Sequence, residues 1–309
     1  MPNTIKVRCP ATSANLGSGF DIFGLALKEP HDILEVEKTD EGIEISASGF
    51  KVPTEPEKNT GGYVAIKMMK DFKLKGGLKI KIRKGIKPGS GLGSSAATAA
   101  GVAYSINRLF NLGLGMEDLV RYAAQGEIVS AGVAHMDNVA PAIYGWFTIV
   151  ASRDPLRIYS IKPPIRLGIV IIVPEGGKES TKKAREVLPE NVSLEKAVQN
   201  IAYASTLAVG MAIGDINMIK AGMEDAIVEP ARAEAGILKA FKALKKEAKR
   251  LDVGLAASGA GPAVLAITEP LGERANEVLS GLGAVLRDRG INYSAYITTL
   301  GSGVREFRD

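Results

Sequence analysis

The sequence predicts an α+β protein of two domains. Three observations carry that expectation. The chain has 309 residues, two domains at roughly 150 residues each. Its first third is rich in alternating, strand-like runs, and its second half interleaves long helices with short strands compatible with antiparallel pairing. Hydrophobic residues make up 46% and charged residues 24%. These are ordinary globular values, so disorder and coiled coil are excluded as whole-chain descriptions.

The first strands are read at Ile5–Cys9, His31–Lys38 (HDILEVEK) and Gly77–Arg83 (GLKIKIR), all alternating. Asn59–Phe72 has helical spacing behind the cap candidates Asn59 and Thr60. A glycine-rich stretch from Lys87 then runs straight into an alanine-rich helix that ends near Asn111. Gly113 and Gly115 separate it from a second helix, Met116 to about Ser130. Strands at Gly145–Ser152, Arg157–Ile161 and Leu167–Val173 follow, with Pro163 and Pro164 marking a seam before the last. Beyond it, helices are expected over Leu194–Ile213, from about Asn217, over Ile237–Arg250 and from Gly272 to about Leu286. Strands are expected at Val253–Ala257, Ala263–Thr268 and Ser294–Thr298, and no internal repeat is visible.

Charge and cysteine usage narrow the function classes. Lys and Arg number 39 against 34 Asp and Glu, a net +5. Nucleic-acid binding would want those charges clustered among aromatics, yet aromatics are 6% and the densest basic run, Lys239–Arg250, is spaced like the wet face of a helix. Cys9 is the only cysteine; with no internal disulfide available, a reducing compartment is expected. It is read as buried packing rather than a nucleophile. MPNTIKVRCP has no apolar signal core, and the longest apolar run, Leu167–Val173, is far short of the ~18 residues of a membrane span. The expectation is a cytoplasmic protein with no membrane or nucleic-acid partner.

The most informative segment is K-P-G-S-G-L-G-S-S-A-A at 87–97. Glycines let backbone wrap an anion, and free N–H groups at a helix start face it with the positive end of the dipole. A P-loop requires a Lys after the glycines, and none is present. Gly91–Ala96 does fit the dinucleotide pattern G-x-G-x-x-A, which would make the chain an NAD-dependent oxidoreductase. The acidic residue expected about 20 positions on instead opens a helix, at Glu117 and Asp118. A third kind of phosphate loop, finished by paired serines, remains.

The stretch Ile86–Ala97, I-K-P-G-S-G-L-G-S-S-A-A, resembles the signature loop of the GHMP kinases. Pro10–Gly24 (P-A-T-S-A-N-L-G-S-G-F-D-I-F-G) is similar to that family's N-terminal motif, and Ser258–Pro262 (S-G-A-G-P) to its C-terminal glycine motif. Within the family, the segments at 15–21, His135–Ile143, Thr181–Arg185 and Glu229–Arg232 are most similar to the homoserine kinases. The resemblance implies an N-terminal ribosomal-protein-S5-domain-2-like domain over 1–165 and a C-terminal ferredoxin-like sandwich over 166–309. It implies ATP and Mg²⁺ as cofactors and L-homoserine as the small-molecule substrate, phosphorylated on its side-chain hydroxyl for threonine biosynthesis. A homodimer is compatible with it.

The site residues follow from the same resemblance. Asn59, Pro88, Gly89, Ser90, Gly91, Leu92, Gly93, Ser94, Ser95, Ala96 and Ala97 would hold the nucleotide, with Ser95 and Glu127 as Mg²⁺ ligands. An amino-acid acceptor brings an ammonium and a carboxylate, which suits an acid and arginines. Asp21 is the candidate for the first, and Arg185 and Arg232 for the second. Asn15, His135 and Asn138 would complete the substrate contacts, and Asn138, Asp137 and Arg185 would act in catalysis. Whether Asp137 takes the hydroxyl proton is open, since a loose transition state can manage without a base. Without the resemblance, Asn59 reads equally as a helix cap, Glu127 as a surface glutamate and each arginine as a surface ion pair. Other alcohol kinases of the mevalonate or shikimate type, and a nucleotide sensor, are the rivals.

Overall fold

The computed structural model describes residues 3–132, 134–175, 181–270 and 272–307, with the side chains of 130, 131 and 181 also outside the description. Strands β1 (Thr4–Asn15) and β2 (Gly19–Thr39) form a long antiparallel hairpin, followed by β3 (Ile43–Gly49). Helix α1 (Thr60–Asp71) leads into β4 (Gly77–Lys84), which pairs antiparallel with β2 and parallel with β3. Three helices come next: α2 (Ser94–Phe110), α3 (Met116–Ala131) and α4 (Met136–Tyr144). Strands β5 (Phe147–Arg153) and β6 (Leu156–Ile161) extend the sheet from β2.

The second sheet begins with β7 (Gly168–Pro174). After it come α5 (Thr181–Glu186), α6 (Leu194–Ile213), α7 (Ile216–Gly222), α8 (Val228–Glu234) and α9 (Phe241–Arg250). Strands β8 (Gly254–Ala257) and β9 (Val264–Thr268), helix α10 (Glu273–Arg287) and strand β10 (Tyr293–Thr298) complete it, in the antiparallel order β10-β7-β9-β8. The chain then returns to the first sheet, where β11 (Arg305–Glu306) pairs with β1. The predicted α+β class is what the structure has, and it is built on two sheets. Among the described residues no helix is long and apolar enough to cross a membrane.

Burial explains why some elements could be read and others not. Strand β7 is buried on both faces: Ile169, Ile171 and Val173 join the larger core beneath the first sheet's helices, and Val170 and Ile172 join a second core under α9 and α10. Its sequence is accordingly a continuous apolar run. Helix α6 runs over the expected Leu194–Ile213, capped by Ser193 and ended by Gly214 in the left-handed region. Helix α9 starts at Phe241 rather than Ile237, because Ala240 takes φ +53 and breaks the turn. The Pro10–Asn15 half of β1 is buried along its whole length, so its small residues show no alternation. Helix α4 is nine residues long with Pro141 inside it, which hides it from helical periodicity.

One buried ion pair sets the position of the glycine loop. Lys84, the last residue of β4, contacts Asp32 of β2, and both side chains are almost wholly buried. Lys84 Nζ also donates to Ser94 O at 2.8 Å and Thr98 Oγ1 at 3.0 Å on α2. Asp32 Oδ1 accepts from the N–H groups of Gly85 and Ile86, at 2.9 and 3.0 Å. Burial raises the Asp32 pKa from its ordinary value, with Lys84 acting the other way. The pair therefore fixes geometry more than it adds stability. Lys84→Met should lose about 3–5 kcal/mol, because it strands a buried carboxylate. Asp32→Asn combined with Lys84→Met should recover much of that loss in urea titrations. A single variant within about 1 kcal/mol of the parent would refute this assignment.

Candidate active site

The site is a cleft of about 840 Å³ walled by β1, β2, the glycine loop, α2–α5, α8 and the loop after β8. Its floor is the glycine loop. Gly89, Gly91 and Gly93 have φ of +70, +86 and +62, the left-handed region where a side chain is strained. Gly93 precedes α2 and offers no side-chain cap. Ser94, Ser95 and Ala96 are the first residues of that helix, so their N–H groups have no intrahelical acceptor. Such an N-terminus, fronted by glycine backbone, is suited to a phosphate.

The loop is held from three sides. Thr12 N–H donates to Leu92 O at 3.1 Å, Ala263 N–H to Ser90 O at 3.1 Å, and Ser258 Oγ to Gly91 O at 2.7 Å. A Cβ on Gly93 would lie 1.9 Å from Thr12 Oγ1, and one on Gly91 2.6 Å from Ser258 O. Of the sequence-predicted nucleotide residues, Asn59, Pro88, Gly89, Gly91, Gly93, Ser94 and Ser95 line the cleft. Ser90, Leu92, Ala96 and Ala97 do not. Leu92, Ala96 and Ala97 are buried in the core, and Ser90 Oγ turns back to Lys87 O at 2.7 Å. Ser94 Oγ is likewise spent on Ile86 O, at 3.0 Å. Asn59 caps α1, accepting from Gly61 and Gly62 N–H and donating to Pro53 O at 2.7 Å. Its side chain is thus a structural brace at the cleft edge.

Glu127 and Ser95 both line the cleft. Glu127 is buried, with His135 Nδ1 3.8 Å from its Oε2. The surface reading of this glutamate fails. A hydroxyl and a carboxylate are hard oxygen donors of the kind Mg²⁺ takes, one or two from protein with phosphates and waters for the rest. No group of three or more His, Cys, Asp or Glu side chains that could hold a metal ion exists among the described residues. His135 Nε2 is buried with no hydrogen-bond partner among the described residues.

Opposite the loop stands a charged cluster. Asp21, at φ +60, receives both arms of Arg185, with Nη2–Oδ1 at 2.6 Å and Nη1–Oδ2 at 3.1 Å. Arg153 also reaches Asp21 Oδ2, at 3.4 Å. Arg185 and Arg232 lie over the ring of Phe20, 5.2 and 5.4 Å from its centroid. Arg232 is buried, and donates through Nε to Ala184 O at 3.1 Å and through Nη1 to Gly259 O at 2.8 Å. Buried Arg232 is not the surface ion pair read without the resemblance, whereas Arg185 is ion-paired, with a part-buried Asp21.

Three polar side chains sit between floor and cluster. Asn15 Oδ1 accepts from Asp21 N–H at 3.1 Å, and its Nδ2 donates to Gly259 O at 3.0 Å. This is bracing that leaves one N–H for a ligand. Asn138 Oδ1 accepts from Thr12 Oγ1 at 3.0 Å, leaving the amide donors. Asp137 is fully buried, and its pKa is pushed up to about 6, first by burial and then by the Asp21 charge. Sequence reasoning did not single out Thr12, Phe20, Lys84, Lys51, Lys58 or Lys182 as site residues, although the cleft includes Phe20, Lys84 and the last three. Thr12 and Phe20 lie inside the 10–24 motif and Lys182 inside the 181–185 segment; Lys51, Lys58 and Lys84 carry no local signal. Thr181 opens α5, and its side chain is outside the described residues.

Two sheets meeting at a glycine loop and a helix N-terminus, across a cleft from a charged cluster, are the arrangement of a small-molecule kinase. The family model for the GHMP kinase N-terminal domain matches residues 61–146. A homoserine kinase of Methanococcus maripaludis is 46% identical over 267 residues, 85% of this chain and 87% of that protein. One of Methanocella arvoryzae is 41% identical over 98% of this chain and 97% of its own. The crystal structure of homoserine kinase from Cytophaga hutchinsonii superposes with a TM-score of 0.90 at 32% identity, covering 99% of this chain and 98% of the other. The chain belongs to the GHMP kinases, and within them to the homoserine kinase family.

Gly93→Ala tests the loop geometry. The clash with Thr12 and the left-handed φ together should cost about 1–3 kcal/mol and reduce kcat/KM at least a hundredfold. Thermal melts and steady-state assays would read the two effects, and a fully active Gly93→Ala would rule out this packing.

Proposed function

We propose that the chain transfers the γ-phosphoryl group of ATP to the side-chain hydroxyl of L-homoserine, yielding O-phospho-L-homoserine and ADP. The observation that carries this reading is the pairing of an uncapped helix N-terminus with an acid and two arginines across one cleft. Those groups suit a substrate that is a zwitterion at one end and an alcohol at the other. The relatives named above act in the same sense, and a cytoplasmic role in threonine biosynthesis accords with it.

The residues divide the work as follows. Backbone N–H groups at 94–96 and the glycine loop hold the phosphates. Ser95 and Glu127 would hold Mg²⁺, which when bound neutralises charge on the phosphate oxygens. Asp21 takes the substrate ammonium, and Arg185 and Arg232 its carboxylate; the Asp21–Arg185 pair is then exchanged for substrate contacts. Asn138 orients the hydroxyl through its amide. Asp137 is the buried carboxylate placed to accept the proton, and its raised pKa makes it a stronger base than an exposed aspartate while leaving it ionised at neutral pH.

Two experiments test this. In a coupled ADP-release assay with Mg·ATP, L-homoserine should be turned over selectively against L-threonine, L-serine, mevalonate, shikimate and galactose. Turnover of another member would keep the kinase and discard the roles of Asp21 and the arginines. Silence with ATP still bound would favour a nucleotide sensor, and NADH binding by fluorescence would favour an oxidoreductase. For the base, the pH profile of kcat/KM should fall below about pH 6. Asp137→Asn should abolish that limb and reduce kcat about 10²–10⁴-fold. A variant within a few-fold of the parent would leave the proton to the phosphate.

A further inference from the structure

Glu229 is a buried carboxylate that the proposed chemistry does not use. It is 4% exposed, does not line the cleft, and sits in the first turn of α8, the helix that bears Arg232. Its Oε1 accepts from Ala257 N–H at 2.7 Å. Its Oε2 accepts no hydrogen bond and lies 3.6 Å from Lys245 Nζ. Burying a carboxylate so incompletely paired is costly, and an apolar side chain would fill the same place without that cost. What the carboxylate holds explains why it is there.

Ala257 ends β8, and the two residues after it serve both halves of the cleft. Ser258 Oγ donates to Gly91 O of the glycine loop at 2.7 Å. Gly259 O accepts from Arg232 Nη1 at 2.8 Å and from Asn15 Nδ2 at 3.0 Å. Glu229 and Arg232, three positions apart on one helix face, therefore grip the same strand end, one by an N–H and the other by a C=O. Helix α8 has only seven residues, with Pro230 among them, so its own hydrogen bonds do little to orient it. Asp225 holds its start, accepting from Val228 and Glu229 N–H at 3.1 and 2.8 Å. Nothing in that cap fixes the helix to β8.

We propose that Glu229 is a positioning residue for the acceptor: by tying α8 to the end of β8, it sets where the Arg232 guanidinium stands in the cleft. This rests on the reading of Arg232 as a ligand of the substrate carboxylate. The tie is also sensitive to pH. Lys245 faces Glu229 from α9, Glu224 and Asp225 from the segment before α8, and Arg232 from its own helix, while β8 brings no charged side chain. Lys245 is shared, its Nζ donating to Glu224 Oε2 at 2.9 Å, Met223 O at 3.0 Å and Leu255 O at 2.8 Å. Burial above all, with the Asp225 and Glu224 charges, lifts the Glu229 pKa to about 7 against the pull of Lys245 and Ala257 N–H. Above that pH Ala257 N–H meets a charged acceptor, and below it a neutral and weaker one.

Steady-state kinetics on the full chain test this. Glu229→Gln keeps the shape and a neutral acceptor, whereas Glu229→Met removes the acceptor. Near pH 8, the KM for L-homoserine should rise about threefold in the first and at least about tenfold in the second, with kcat and the KM for ATP within about twofold of the parent. As the pH falls through about 7, the parent's KM for L-homoserine should climb to that of Glu229→Gln, which stays flat. An unchanged KM in Glu229→Met, or a general loosening that lowers kcat and raises both KM values together, would overturn the proposal. Arg232→Lys separates the two readings. If it raises the KM while Glu229→Met does not, the proposal alone falls; if it leaves the KM unchanged, the role of Arg232 falls and the proposal with it. One readout is independent of the acceptor's identity. The NMR signal of Arg232 Nε–H, assigned by its loss in Arg232→Lys, should move with a midpoint near pH 7 in the parent and stay fixed in Glu229→Gln. A parent signal indifferent to pH in this range would also overturn the proposal.

Discussion

The site depends on a buried contact between a lysine and an aspartate that never touch the cleft's ligands in the proposed chemistry. Lys84 joins the end of β4 to the first turn of α2, and Asp32 joins β2 to the backbone that enters the glycine loop. A phosphate site made of backbone N–H groups has no side chains to adjust, so its accuracy is that of the chain path. An apolar pair of the same volume would pack as well without dictating that path. Burying charge here exchanges some stability for a fixed loop entrance.

On the far side of the cleft, the charges answer each other. Asp21 and Arg185 close on one another at 2.6 Å, with Phe20 beneath the guanidinium. Asp21 and Arg185 neutralise each other, while Lys51, Lys58 and Lys182 also line the cleft. In the proposed chemistry a zwitterion would exchange that pair for its own ammonium and carboxylate, whereas a lone carboxylate taking Arg185 would leave Asp21 unmatched. In the proposed chemistry, leaving a part-buried Asp21 unmatched would carry a cost, a source of selectivity beyond shape. Arg232 contributes less freely, since two of its donors already hold Ala184 O and Gly259 O.

Much of this was legible in the sequence. The alternating halves of β1, β2 and β4, the capped helices α1 and α6, and the apolar run of β7 follow from local pattern. So does the glycine loop, whose small residues have no other use at a strand-to-helix junction. Asp21, Asn138, Arg185 and Arg232 were named because motifs carried them, and the fold brings them into one cleft from four separate segments. Ser90, Leu92, Ala96 and Ala97 show the limit of a motif: adjacency in the chain does not tell which side chains turn inward. Lys84 shows the opposite limit, because its importance lies in partners 52 and 14 residues away. Helices α4 and α8 are too short and too irregular to announce themselves, yet α4 carries Asp137 and Asn138, and α8 carries Arg232.

The return of the chain to its first sheet bears on how the protein is made. Beyond β10, Gly301 O accepts from Trp146 N–H, Val304 N–H donates to Ala142 O at 2.7 Å, and β11 pairs with β1. A chain emerging from a ribosome presents its N-terminal part first, but here that part lacks an edge strand and the support of α4 until residues 301–306 arrive. Until then β1 displays open N–H and C=O groups, which invite pairing with other chains. The corner that holds Asp137 and Asn138 therefore waits on residues 301–306, which lie more than 150 positions further along the chain.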